Sequence, residues 1–144
     1  MQATDLTGTY TYRSFLNRPE PVDDFNDLRF AQLELRLTAT SAGGVSGLLV
    51  FPAPAGVEPL AMEMAGQASG TPLAITLTGK GVAGTPIEDF HYEYEGVVLR
   101  HWPTGVGQRM TLAGTVLRAK DHGSGANLAR AGQTASFLAV RRES

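Results

Sequence analysis

The chain contains no cysteine. That excludes a disulfide framework, a thiol nucleophile, a cysteine-ligated zinc site and a cysteine-ligated iron–sulfur cluster. No apolar run approaches the roughly 18 residues that a membrane-spanning helix requires. The opening MQATDLTGTYTYRS has no basic stretch followed by an apolar one. It therefore reads as lacking a signal peptide, which favours the cytoplasm over export. Excess charge is missing too: 12 Lys and Arg against 14 Asp and Glu leave 12 − 14 = −2. A protein that grips nucleic acid non-specifically needs a net positive field, and this chain does not supply one.

Catalytic and cofactor motifs are equally sparse. Gly79–Lys80–Gly81 lacks the GxxxxGK[ST] spacing that aims several backbone donors at phosphate. Neither HxH nor HExxH occurs, and the surroundings of Ser124 read HGSGAN rather than GxSxG. Asp121 and His122 supply the other two letters of a serine triad, but adjacency in sequence does not bring Asp121 to the His122 Nδ1. The His122–Gly132 stretch reads more simply as a glycine-rich rim loop. No nucleotide, haem, iron–sulfur or metal site is expected, and no cofactor.

What the chain does have is alternation. Leu33, Leu35, Leu37 and Ala39 interleave with Gln32, Glu34, Arg36 and Thr38, and Leu6, Gly8, Tyr10 and Tyr12 interleave with Thr7, Thr9, Thr11 and Arg13. Side chains two apart share a strand face, so each segment carries one apolar and one polar side. Similar patterns cover Val45–Phe51, Leu60–Ala68, Pro72–Thr78, Ile87–Leu99, Gln108–Ala119 and Thr134–Arg141, separated by Gly- and Pro-rich turns. Eight antiparallel strands in hairpin order predict an all-β, up-and-down barrel with little helix, formed as one domain over residues 1–144. Closure of the first strand on the last removes exposed edges, although a two-sheet sandwich also satisfies the alternation. Val22–Asp27 suits one short helical turn capped by Asp23 or Asp24.

Several segments are candidates for a site. The early connection Phe15–Arg29 mixes Phe15 and Phe25 with Asn17, Asn26 and Arg29, as either a ligand-facing lid or a self-bonded plug would. On Ile87–Glu95, alternation sends Phe90, Tyr92 and Tyr94 to one face and Asp89, His91, Glu93 and Glu95 to the other. The acids need nearby cations, for which Arg36 and Arg109 are candidates. His101 and Trp102 precede Pro103 and offer either a stacking pocket at the rim or a packing motif that secures the hairpin. Inward Tyr10, Tyr12, Tyr92 and Tyr94 would bring both apolar rings and hydroxyls that demand partners.

The Leu6–Thr7–Gly8–Thr9–Tyr10 opening, followed by short alternating strands, resembles small calycin-like barrels of the streptavidin and lipocalin groups. The Phe15–Arg29 and His101–Arg109 segments also look like those of bacterial barrel proteins of unassigned activity. The resemblance implies a ligand cavity at one barrel mouth. Gly8 is followed by Thr9 and Tyr10 where lipocalins carry GxW, so no biotin- or lipocalin-ligand residues carry over. The leading expectation is a small, partly hydrophobic or aromatic organic ligand, contacted by Tyr10, Tyr12, Tyr92, Tyr94 and Trp102, flanked by His101, and oriented by Asn17 and Arg29. Two other readings stand beside it: a cofactor-independent cyclase or isomerase using the same cavity, and a solid-core structural barrel that forms homo-oligomers through Asp89–Glu95 or another outer face.

Overall fold

A period of two buries one face of each strand, and β2 shows it cleanly: Leu33, Leu35, Leu37 and Ala39 are buried while Gln32, Arg36 and Thr38 are exposed. The computed structural model describes residues 1–143 and arranges them as eight strands. These are β1 (Gly8–Leu16), β2 (Arg29–Ala39), β3 (Gly44–Phe51), β4 (Leu60–Ser69), β5 (Ala74–Gly81), β6 (His91–Val98), β7 (Thr111–Arg118) and β8 (Thr134–Arg141). Each pairs antiparallel with its sequence neighbours, and β8 returns to β1 from Tyr10↔Arg141 to Leu16↔Ala135. The result is a closed up-and-down barrel rather than a sandwich. Among the described residues helix is confined to three short 3-10 turns, Ala3–Leu6, Phe25–Leu28 and Gly125–Asn127. Asp24 caps the second, its carboxylate accepting from the Asn26 amide at 2.9 Å. No helix among the described residues is long and apolar enough to cross a membrane.

Strand ends differ from the alternation in places. Pro72 lies in the turn before β5, and Ile87–Asp89 form a turn ahead of β6, where backbone bonds such as Phe90 N–H to the Ile87 carbonyl replace ladder pairing. The small barrel bends its sheet tightly. At Gly66 a side-chain Cβ would sit 1.8 Å from the Thr76 carbonyl oxygen, so this glycine permits a close backbone approach and leaves no internal space.

Because successive strands reverse direction, the connections alternate between two ends. One end gathers residues 40–43, 70–73 and 99–110 with the Ala3–Leu6 turn; the other gathers 17–28, 52–59, 82–90 and 119–133. The first end is plugged. Leu6 is fully buried there, and the Tyr10 hydroxyl donates to its carbonyl at 2.7 Å beside Met110 Sδ at 3.3 Å. Arg141 fastens the plug by donating to the Asp5 carbonyl at 2.6 Å. Leu37, Leu49, Met64, Ile75, Leu77, Val98 and Leu112 belong to the same buried apolar core.

The outer face of β6 carries its acids as alternation requires, but the groups that meet them are others than Arg36 and Arg109. His91 Nε2 lies 2.7 Å from Glu93, Thr78 donates to Glu93 at 2.7 Å, and Lys120 approaches Asp89 at 3.7 Å. Arg36 is taken by Glu34 at 2.6 Å on its own strand, and Arg109 donates to the Arg142 carbonyl. The strand order explains the Arg36 case: β6 lies between β5 and β7, so β2 is across the barrel from it.

Candidate ligand-binding site

The open end encloses a cavity of about 220 Å³. Its walls come from inward positions of β1, β2, β4, β6 and β7: Tyr12 and Ser14, Ala31 and Leu33, Met62, Tyr92 and Tyr94, Val116. Phe30, Phe51, Phe90, Arg118 and His122 complete its lining. Aromatic packing holds this shape. Phe137 stacks against Tyr12 at 5.6 Å and meets Tyr94 edge-on at 6.1 Å, while Phe90 contacts both Phe51 and Tyr92 in T-shaped pairs. At Gly79 a Cβ would come within 2.8 Å of Met64 Sδ and 3.1 Å of Tyr94 Cε1, so the missing side chain makes room for the Tyr94 ring.

Polar groups divide into two sets. Inside, burial raises the pKa of the Tyr12 and Tyr94 hydroxyls well above the ordinary phenol value, so both are neutral donors and neither is a phenolate base. Ser14 is 1 % exposed and its Oγ has no protein hydrogen-bond partner. It lies close enough to Tyr12 to offset part of that group's burial without completing a hydrogen bond. Near the mouth, Arg118 Nε donates to the Tyr92 hydroxyl oxygen at 2.9 Å, and that oxygen lies 3.0 Å from His122 Nε2. Burial, reinforced by the Arg118 charge, lowers the His122 pKa, with Asp89 and Asp121 opposing. The neutral ring accepts the Tyr92 proton at Nε2, an assignment that follows from the Arg118 donation to the same oxygen. His122 also stacks on Phe90 with centroids 3.9 Å apart, and its backbone is fixed by mutual hydrogen bonds with Ala129.

The residues singled out from the sequence fall in three places. Tyr12, Tyr92 and Tyr94 line the cavity. Tyr10 points inward but belongs to the plugged end, where burial raises its pKa to about 12 against the charge of Arg141. His101 and Trp102 lie on the β6–β7 connection, also at the plugged end, and Trp102 is 59 % exposed. There Gln108 bridges the Trp102 backbone N–H and carbonyl, each at 2.6 Å, and Arg100 sits 4.4 Å above the indole. Trp102 is thus built into its own hairpin, at the end opposite the cavity mouth where the sequence reading expected it.

Asn17 and Arg29 occupy the correct end but not the cavity lining. Asn17 donates to Thr134 Oγ1 at 3.1 Å and accepts from Ser136 Oγ at 3.2 Å, pinning the early loop to β8. Arg29 is exposed at the start of β2, opposite Phe15 at a register irregularity. Phe25 packs on Phe15 at 4.1 Å and Asn26 accepts from Arg13 at 2.7 Å, so the loop folds against the outer wall of β1, neither lid nor internal plug.

Among the lining residues with polar side chains, three were not anticipated: Ser14, Arg118 and His122. The inward alternation of Tyr10, Tyr12 and Ser14 would have shown the first. His122 was visible only as part of a triad, and Asp121 does not serve it, accepting instead from the Ala131 amide at 2.6 Å. No protein-family model, curated protein or solved structure matches the chain. A closed, eight-stranded antiparallel barrel is a form common to several barrel superfamilies, and the architecture alone does not single out the calycins.

Proposed function

We propose that the protein binds a compact, mainly apolar organic molecule in the open-end cavity. A volume of about 220 Å³ exceeds the roughly 150 Å³ that accommodates one benzene ring. It falls below the roughly 300–1,000 Å³ of sites for drug-sized ligands. One substituted ring, or an aliphatic molecule of that bulk, is the matching size. The observation that carries the reading is Ser14 Oγ, buried in the lining without a protein partner. A buried hydroxyl is normally paired, so a ligand oxygen or nitrogen at this position supplies what the fold does not. The calycin-like resemblance of the opening strands agrees with a ligand taken at one barrel mouth.

Binding fits the protonation states better than turnover does. Tyr12 and Tyr94 stay neutral, and the Nε2 lone pair of His122 is already engaged by Tyr92. A cyclase or isomerase would have to work through the Tyr92–His122 pair, the one place in the lining where a proton has a ready acceptor.

Benzyl alcohol is a suitable neutral probe, titrated by NMR and by thermal denaturation. The expected result is saturable binding with resonance shifts at Tyr12, Tyr92, Tyr94 and Phe90, and a midpoint that rises with probe concentration. Ala31→Phe, which fills the cavity from β2, should abolish the shifts, while Trp102→Ala at the far end should leave them unchanged. Absence of saturation, or shifts centred on Trp102, would overturn the proposal.

A further inference from the structure

We infer that the ligand is an anion, a small ring or ring-sized acid whose carboxylate lies at Arg118 and whose mainly apolar body fills the cavity, with one polar atom toward Ser14. This rests on the cavity being a binding site and adds the charge of its occupant. Arg118 is half-buried in the lining, and among the described residues no carboxylate comes within ion-pair distance of it. Its Nε is committed to Tyr92, and its Nη1 makes a long 3.3 Å contact with the Arg130 carbonyl. Nη2 has no hydrogen-bond acceptor among the described residues. The guanidinium also rests 5.6 Å from the Phe30 and Tyr92 ring centroids, which restrains the fork before any ligand arrives.

A partly desolvated cation with a vacant donor edge is the feature that selects carboxylates over ammonium groups. The acids nearest the mouth do not satisfy it. Asp121 accepts from the Ala131 amide, and Asp89 faces Lys120. Neutral His122 adds no competing charge and presents its stacked face beside Phe90. Apart from the hydroxyls of Ser14 and the tyrosines the lining is aromatic and aliphatic, so an inorganic anion would leave most of the cavity wall without contact. A carboxylate on a ring meets both requirements.

The experiment compares benzoate, benzyl alcohol and benzylammonium, which share a ring and differ in charge, by calorimetric or NMR titration of the full chain. Benzoate should bind at least about tenfold more tightly than benzyl alcohol, and benzylammonium more weakly than either. Raising sodium chloride to about 0.5 M should weaken benzoate several-fold and leave benzyl alcohol nearly unaffected. Arg118→Met keeps much of the side-chain bulk and should erase the benzoate advantage. If this variant does not fold, the salt comparison on the native chain decides. Equal binding of benzoate and benzyl alcohol, without salt dependence, would overturn the anion inference and leave the cavity reading standing. No binding of any of the three probes would overturn both.

Discussion

Ser14→Ala removes the one oxygen at the heart of the functional reading. Ser14 is 1 % exposed and its Oγ lacks a protein partner, so the fold carries a desolvated hydroxyl that its neighbours do not satisfy. An unpaired buried polar group costs about 1–3 kcal/mol. The lower part of that range applies here, because the cavity opens at one end and the Tyr12 hydroxyl lies nearby. Alanine keeps the Ser14 Cβ, so only the contacts of the oxygen itself are lost. Ser14→Ala should therefore stabilise the ligand-free protein by about 1 kcal/mol, raising the thermal midpoint by about 3–4 °C for a chain of this length.

The same substitution should weaken the complex. Removing a hydrogen bond to benzyl alcohol forfeits about 1 kcal/mol, or about fivefold in affinity. Stability and binding are then read on one preparation, by thermal denaturation with and without the probe. Opposite signs are the signature: a higher midpoint alone, a smaller ligand-induced shift. A midpoint lowered by about 3 °C or more would show that Ser14 is structurally paired and would refute the reasoning. Unchanged benzyl alcohol affinity would show that the probe does not meet Ser14.

Two further outcomes follow from named contacts. His122 prefers to be neutral in the folded protein, whereas the unfolded chain protonates it at its ordinary value near 6.5. Stability should thus decline as pH falls below about 6.5 and level off once the folded ring also protonates. Urea midpoints from about pH 8 to about pH 5 should show a shallower loss in His122→Gln, and equal slopes in the two proteins would contradict it. Gly66→Ala would place a Cβ 1.8 Å from the Thr76 carbonyl oxygen. It should destabilise by about 3 kcal/mol or more in urea, and a loss below about 0.5 kcal/mol would mean that the β4–β5 ladder can open there.

The strands were legible because their signal is local. In β2 the residues Leu33, Leu35, Leu37 and Ala39 announce a half-buried strand without reference to any neighbour, and the structure buries all four. Pro72 and Ile87 misled for an equally local reason. Each adjoins an apolar run and extends its pattern, yet the ladder begins at Ala74 and His91, where backbone partners across the sheet become available. Alternation reports which face a residue takes, not whether a neighbouring strand reaches that far.

The site depends on something alternation does not carry, the end of the barrel at which each connection falls. In an up-and-down barrel this is a matter of parity. The β1–β2, β3–β4, β5–β6 and β7–β8 connections share one end, and the β6–β7 connection takes the other. The eight strands read from the sequence already separate Trp102 from the Phe15–Arg29 loop and put His122 beside it. Grouping Trp102 with Arg29 was incompatible with the predicted topology itself. Parity does not tell Tyr10 from Tyr12, which share a strand face. What separates them is Leu6, whose 3-10 turn folds into the end beside Tyr10 and leaves the level of Tyr12 and Ser14 open. A cavity here exists because the chain plugs one end and has no comparable apolar segment to spend on the other: the early loop that begins with Phe15 is held outside by the Phe15–Phe25 contact and the Asn17 bonds to β8.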